Sequence, residues 1–183
     1  MSSLSSDFVT ADDLSAIAST ADPSEADMEA AQFITFSIGD EEFGVDIVTV
    51  QEIKGWTATT NLPSAPSYML GVLNLRGIIV PICDLRARFG LGDTIPSKNH
   101  VIVIVMVSDR IIGILVDAVS DILTVGASRI RPVPEMGGNI DQRFLSGLVA
   151  VDNRMVALLE LKLLFDLDGL SDESMDHGKL ATN

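Results

Sequence analysis

A shift of 76 positions lays the segment Gly71 to Leu85 over Gly147 to Leu161 without a gap. Gly71 falls on Gly147, Leu75 on Val151, Ile79 on Met155, Val80 on Val156, Ile82 on Leu158 and Asp84 on Glu160. Leu85 then falls on Leu161 and Phe89 on Phe165. Each copy reads as strand, two-residue turn, strand, with Arg76-Gly77 at one bend and Asp152-Asn153 at the other. Gly and Asn tolerate the positive φ that such turns demand. A chain that repeats a small β unit in this way is expected to fold as two similar modules.

The rest of the chain supplies the other strands. Phe33, Thr35 and Ser37 alternate with Ile34, Phe36 and Ile38, a turn follows at Gly39-Asp40-Glu41-Glu42, and Phe43 to Val50 returns. Val101 to Val107, the turn Ser108-Asp109-Arg110 and Ile111 to Val116 form a second hairpin. Both run into related tails, Val45 to Ile53 and Val116 to Ile122, the first two residues longer. Thr57 to Ser67, with Pro63 and Pro66, reads as a loop, and Arg86 to Phe89 as a helical turn ending at Gly90.

Four or five short strands per unit with almost no helix cannot cover both faces of a flat sheet, so closure is expected. The fold class is all-β: two tandem SH3-like five-stranded β-barrels, roughly 32–95 and 96–166, with a groove between them and any exchange of strands between the two left open. Grooves between modules are common binding sites.

The net charge of −14 sits mainly at the ends. Residues 1–31 hold seven acids and no base, residues 167–183 form a second acidic tail, and the segment between is nearly balanced. The first 31 residues, rich in Ser, Ala and Asp, read as a tail. No basic stripe exists for nucleic acid, Arg129 and Arg131 being the nearest approach. The single cysteine, Cys83, excludes an intramolecular disulfide; no leader or membrane span is evident, and a cytoplasmic protein without direct membrane insertion is expected.

No catalytic set emerges, so an enzyme is not expected, and no metal or cofactor is implied. His100 and His177 lack companions at ligand spacing, Cys83 sits on an apolar strand, and Gly137-Gly138 lacks the lysine of a phosphate loop. Asp84 and Glu160 occupy equivalent places and read as caps of a turn. Trp56 reads as a lid on the core. Arg76 is the anomaly: a buried apolar hairpin needs no arginine, and an exposed charge ringed by apolar surface suits protein contact. Glu52 is its candidate partner. Val45, Val48, Leu115 and Val116, taken as matching positions of the two units, read from pattern alone as core.

Asn74-Leu75-Arg76-Gly77 with Val80-Pro81-Ile82-Cys83-Asp84-Leu85 resembles the hallmark of the CheW family, the coupling proteins of bacterial chemotaxis, and of the regulatory domain of the histidine kinase CheA. Phe43-Gly44-Val45-Asp46, Val50-Gln51-Glu52-Ile53, Gly113-Ile114-Leu115-Val116-Asp117 and Phe144-Leu145-Ser146-Gly147 are similar to the same family. The resemblance spans 32–166 and leaves the tails unmatched. It implies a non-enzymatic adaptor that couples chemoreceptors to CheA, recruited to membrane-associated receptor arrays. It also implies that Val45, Val48, Leu115 and Val116 line the receptor groove, so that Val116→Asp would disrupt docking. Glu52 and Arg76 would be a charged pair at the coupling surface, and Leu70 and Ile79 would meet the kinase. The alternatives are an adaptor of another chemosensory pathway, such as surface motility, and a small ligand-binding barrel.

Overall fold

The central strands carry apolar residues on both faces because each lies between two cores. The computed structural model describes residues 29–135, 138 and 140–165. The tails, with any helix around Ala11 to Ala18, and His177 and Gly137 lie outside the described residues. Ten strands run in the order β1 (Ala30–Ile38), β2 (Glu41–Asp46), β3 (Val50–Gly55), β4 (Met69–Leu75), β5 (Ile78–Asp84), β6 (Val101–Val107), β7 (Arg110–Val116), β8 (Ala118–Gly126), β9 (Leu145–Val151) and β10 (Arg154–Leu159). Single helical turns follow β5 (α1, Leu85–Arg88) and β10 (α2, Leu161–Leu164), in the same register of the 76-residue repeat.

The strands form two five-stranded sheets, β8-β1-β2-β10-β9 and β3-β6-β7-β5-β4. The sheets therefore do not coincide with the expected units 32–95 and 96–166. β3 leaves β2 to pair with β6, while β8 leaves β7 to pair with β1, a reciprocal exchange. The expected strand Phe43 to Val50 breaks at Ile47, where a 3₁₀ turn over Ile47–Thr49 carries the chain across. Asp46 caps that turn, its carboxylate accepting from the Val48 N–H at 3.1 Å. β1 begins two residues before the expected boundary, with Ala30 opposite Gly126.

Strand pairing reveals a second repeat. Thr35 faces Gly44 as Ile104 faces Gly113, and Glu52 faces Ile104 as Asp121 faces Thr35, a constant offset of 69 residues. Both exchanged strands bulge at the equivalent residue, Gln51 in one and Ser120 in the other. The two tails are therefore equal in length, not two residues apart: Val45 corresponds to Ile114, not Val116, and Val48 to Asp117.

Each sheet wraps its own apolar centre, and a third, larger core fills the space between them. Leu73, Val80, Ile82, Ile102, Ile104 and Leu115 fill the second barrel. Phe33, Val125, Val149, Val156 and Leu158 fill the first. Between the sheets, Ile34, Phe36, Phe43 and Val45 meet Val103, Val105, Ile114 and Val116. Alternate residues of β6 therefore face different cores, which explains its unbroken Val/Ile run.

Gly71 and Gly147 let incoming loops cross the edges of β4 and β9. Thr60 bridges to Val72, and Arg131 to Leu148, the same place in the repeat. A Cβ at Gly71 would meet the Thr60 carbonyl, and one at Gly147 would come within 2.6 Å of Ile130. The turns depart from expectation, because Arg76 (φ 52°) and Asp152 (φ 45°) take positive φ themselves.

Asp84 is buried and fully engaged, accepting from Arg86 N, Thr94 N and Thr94 Oγ1 at 2.8–3.1 Å. Glu160, at the equivalent place, makes no side-chain cap bond. Cys83 is buried beside it, and burial pushes its thiol up to about 12. Cys83 should therefore resist a thiol reagent at pH 8 in the native protein and react once denaturant is added; rapid native labelling would contradict this packing.

Candidate docking surfaces

The hairpin tip is built by Asn74, whose side-chain oxygen accepts from the Gly77 N–H at 2.8 Å and fixes the bend. That bend holds Arg76 outward, 82% exposed, with Nη2 donating to Glu52 Oε2 at 3.0 Å. Glu52 reaches it from β3, a strand that enters this sheet only through the exchange. The structure thus brings together the two charged residues expected to pair. As a surface bridge the pair contributes about 0–1 kcal/mol to stability, too little to explain it as a structural necessity. Ile78 and the 60%-exposed Ile79 continue the tip as uncovered apolar surface. Leu70 is half-buried against the second barrel's core, so of the two expected kinase contacts Ile79 is the accessible one.

Register sharpens the contrast between the halves. Arg76 corresponds to Asp152 and Glu52 to Asp121, so the second unit carries two acids where the first carries an ion pair. The same fold holds with either, which frees Arg76 and Glu52 from any obligatory structural task.

The groove expected between the barrels lies at one end of the inter-sheet core. It is a cleft of about 270 Å³ whose walls include Phe33, Asp46, Thr49, Met106, Ser108 and Lys162. Between Asp46 and Thr49, Val48 projects outward, 78% exposed, because the capped 3₁₀ turn holds it away from both cores. Of the four residues carried over to the groove, only Val48 is on the surface. Val45 and Val116 are buried between the sheets and Leu115 inside the second barrel. Leu115 and Val116 are adjacent on a strand and point to opposite faces, so they could not share one surface. Trp56 packs against the second barrel's core, as a lid would. The sequence reading missed Thr49, Met106 and Lys162; an Asp three residues before a Thr in an apolar run was the available sign of a strand break.

At the opposite end the sheets are tied. Asp117 Oδ2 accepts from Arg86 Nη2 at 2.6 Å and from the Gly39 N–H at 2.7 Å, while His100 Nε2 lies 3.6 Å from Oδ1. Burial works to raise the Asp117 pKa, but the Gly39 and Arg86 hydrogen bonds, with the Arg86 charge, hold it below the usual carboxylate value. His100 Nδ1 accepts from the Ser97 N–H at 3.0 Å, so the ring is engaged on that side by its own loop.

The family model for the CheW-like domain matches residues 32–168. This chain belongs to the CheW-like family. A probable chemotaxis protein CheW of Rhizobium etli is 49% identical over 134 residues, covering 73% of this chain and 86% of that one. The chemotaxis protein CheW of Klebsiella aerogenes is 40% identical over 144 residues, covering 79% and 84%. Among solved structures, the scaffolding protein TtCheW of Thermoanaerobacter tengcongensis superposes with a TM-score of 0.70 at 34% identity, covering 76% of this chain and 90% of that one. The CheW-like fold is two SH3-like barrels, as found here. Among the described residues, no helix is long and apolar enough to cross a membrane.

Proposed function

We propose that this chain is a chemotaxis coupling adaptor that joins the cytoplasmic tips of chemoreceptors to the regulatory domain of the histidine kinase CheA. The observation that carries the reading is the exposed Arg76–Glu52 pair beside Ile78 and Ile79, at positions where the second half has Asp152 and Asp121 and instead pairs Arg154 with Glu42. A charge pair bordered by uncovered apolar side chains fits a protein interface better than a structural bridge. The receptor tip docks at the cleft beside Val48, and the kinase regulatory domain meets the face that carries Ile79. The protein works in the cytoplasm, drawn to receptor arrays through these contacts. It does no chemistry of its own: it holds two partners together and passes on receptor state through contacts that differ between two states. Weak contacts repeated across an array gain strength through multivalency. The filled interiors of both barrels speak against a ligand held inside either of them.

Arg76→Glu tests this reading. Its side chain is exposed and its bridge to Glu52 is weak, so stability should fall by no more than about 1 kcal/mol in a denaturant titration. Receptor-dependent CheA activation in a reconstituted mixture should nevertheless drop sharply. A folded Arg76→Glu protein that supports full activation would defeat the assignment.

A further inference from the structure

The two ends of the inter-sheet core are related by the repeats, and the chain crosses between the sheets at each, at Ile47–Thr49 and at Asp117, yet only the second crossing carries a charged clamp. At the tied end, Asp117 leaves β7, its N–H donating to Ser37 O, and its carboxylate joins the β1–β2 turn at Gly39 to α1 at Arg86. The offsets of 69 and 76 residues carry Asp117 onto Val48, Gly39 onto Ser108 and Arg86 onto Lys162. Ser108 and Lys162 are walls of the cleft, and Val48 stands beside it. The carboxylate that draws the sheets together at one end is thus replaced at the other by a valine turned to solvent. The Val48 N–H donates to the Asp46 carboxylate at 3.1 Å, where the Asp117 N–H donates to the Ser37 carbonyl.

We infer that the Arg86–Asp117–Gly39 clamp is a positioning element that sets the width of the cleft at the far end of the inter-sheet core. The sheets share an apolar interface, which is non-directional and permits small sliding or rocking. A short, charge-assisted tie is directional and fixes one end. With that end fixed, relative motion of the sheets is expressed at the other, where the three-residue turn Ile47–Thr49 crosses without a clamp and the cleft widens or narrows beside it. Releasing the tie spreads the protein over several cleft widths, so a smaller fraction is competent to bind and apparent affinity falls by that fraction. The consequence for binding rests on the proposed receptor docking; the consequence for width does not.

The test uses the 183-residue chain with nitroxide labels at Met106→Cys and Lys162→Cys, on opposite walls of the cleft, Cys83 being buried. Distances are measured by pulsed electron resonance in the absence of any partner. The parent should give one narrow distribution, Asp117→Asn and Arg86→Gln a wider one, and Arg86→Lys a return toward the parent. Thermal melts of each variant keep unfolding separate from cleft opening. Unlabelled Asp117→Asn should also bind a chemoreceptor tip fragment about fivefold or more weakly. Unchanged distance distributions in both clamp variants would overturn the inference. So would widened distributions with unaltered tip affinity, provided Val48→Asp abolishes that binding. Should the parent itself fail to bind the tip fragment, the docking reading falls and the distance data alone decide on the clamp.

Discussion

Val116→Asp is expected to unfold this protein, whereas Val48→Asp is expected to leave it folded and unable to dock. Val116 is 1% exposed and packed between the sheets. A carboxylate there has no partner and would lose its hydration, a cost above about 4 kcal/mol. That is a large share of the roughly 5–15 kcal/mol that holds a domain together. The inter-sheet core unites all the central strands, so its loss takes both barrels with it. Val48 already faces water, and a charge there costs the fold little while replacing an apolar side chain of the proposed docking surface with a carboxylate. Circular dichroism melts on the pair, followed by titration of a receptor tip fragment against the folded one, separate the two outcomes. A folded Val116→Asp protein with selectively impaired docking would restore the groove assignment that the resemblance first implied.

Gly71→Ala is the second large effect. Gly71 adopts φ 134°, a conformation essentially confined to glycine, and its added Cβ would meet the backbone carbonyl of Thr60. Backbone cannot rotate aside as a side chain can. Relief requires the Thr60–Val72 bridge, with N–O distances of 2.8 and 2.9 Å, to open. The expected loss is about 3 kcal/mol or more, read as a lower denaturation midpoint with an unchanged slope. Gly113→Ala makes a useful comparison. The atoms facing its Cβ belong to the side chains of Ile82, Ile102 and Ile104, which can shift, so its loss should be smaller. Equal losses at the two positions would mean that side-chain crowding, not the crossing backbone, governs Gly71.

The hairpin of β4 and β5 and its copy were legible in the sequence because a tight turn forces register, and register preserves spacing. Gly71 and Gly147 line up since both must admit a crossing chain. Arg76 and Glu52 were found because a charge in an apolar run has to answer to something. The exchange of β3 and β8 was not legible. Strand propensity is local, whereas the choice between Ile104 and a strand of its own half as the neighbour of Glu52 depends on how two sheets pack. That same blindness produced the error at the groove: with the tails aligned two residues out, Val45 and Val116 seemed to match, though register pairs Val45 with Ile114. Strand alternation alone could have shown that Leu115 and Val116 do not share a face.

Receptor-dependent activation of CheA, measured by phosphate transfer in a mixture of receptor-bearing membranes, CheA and this chain, tests the account most directly. Activation should require this chain and be lost on substitution of Arg76→Glu or Val48→Asp, both of which should stay folded. Activation that is indifferent to the chain, or that survives both substitutions, would contradict the account.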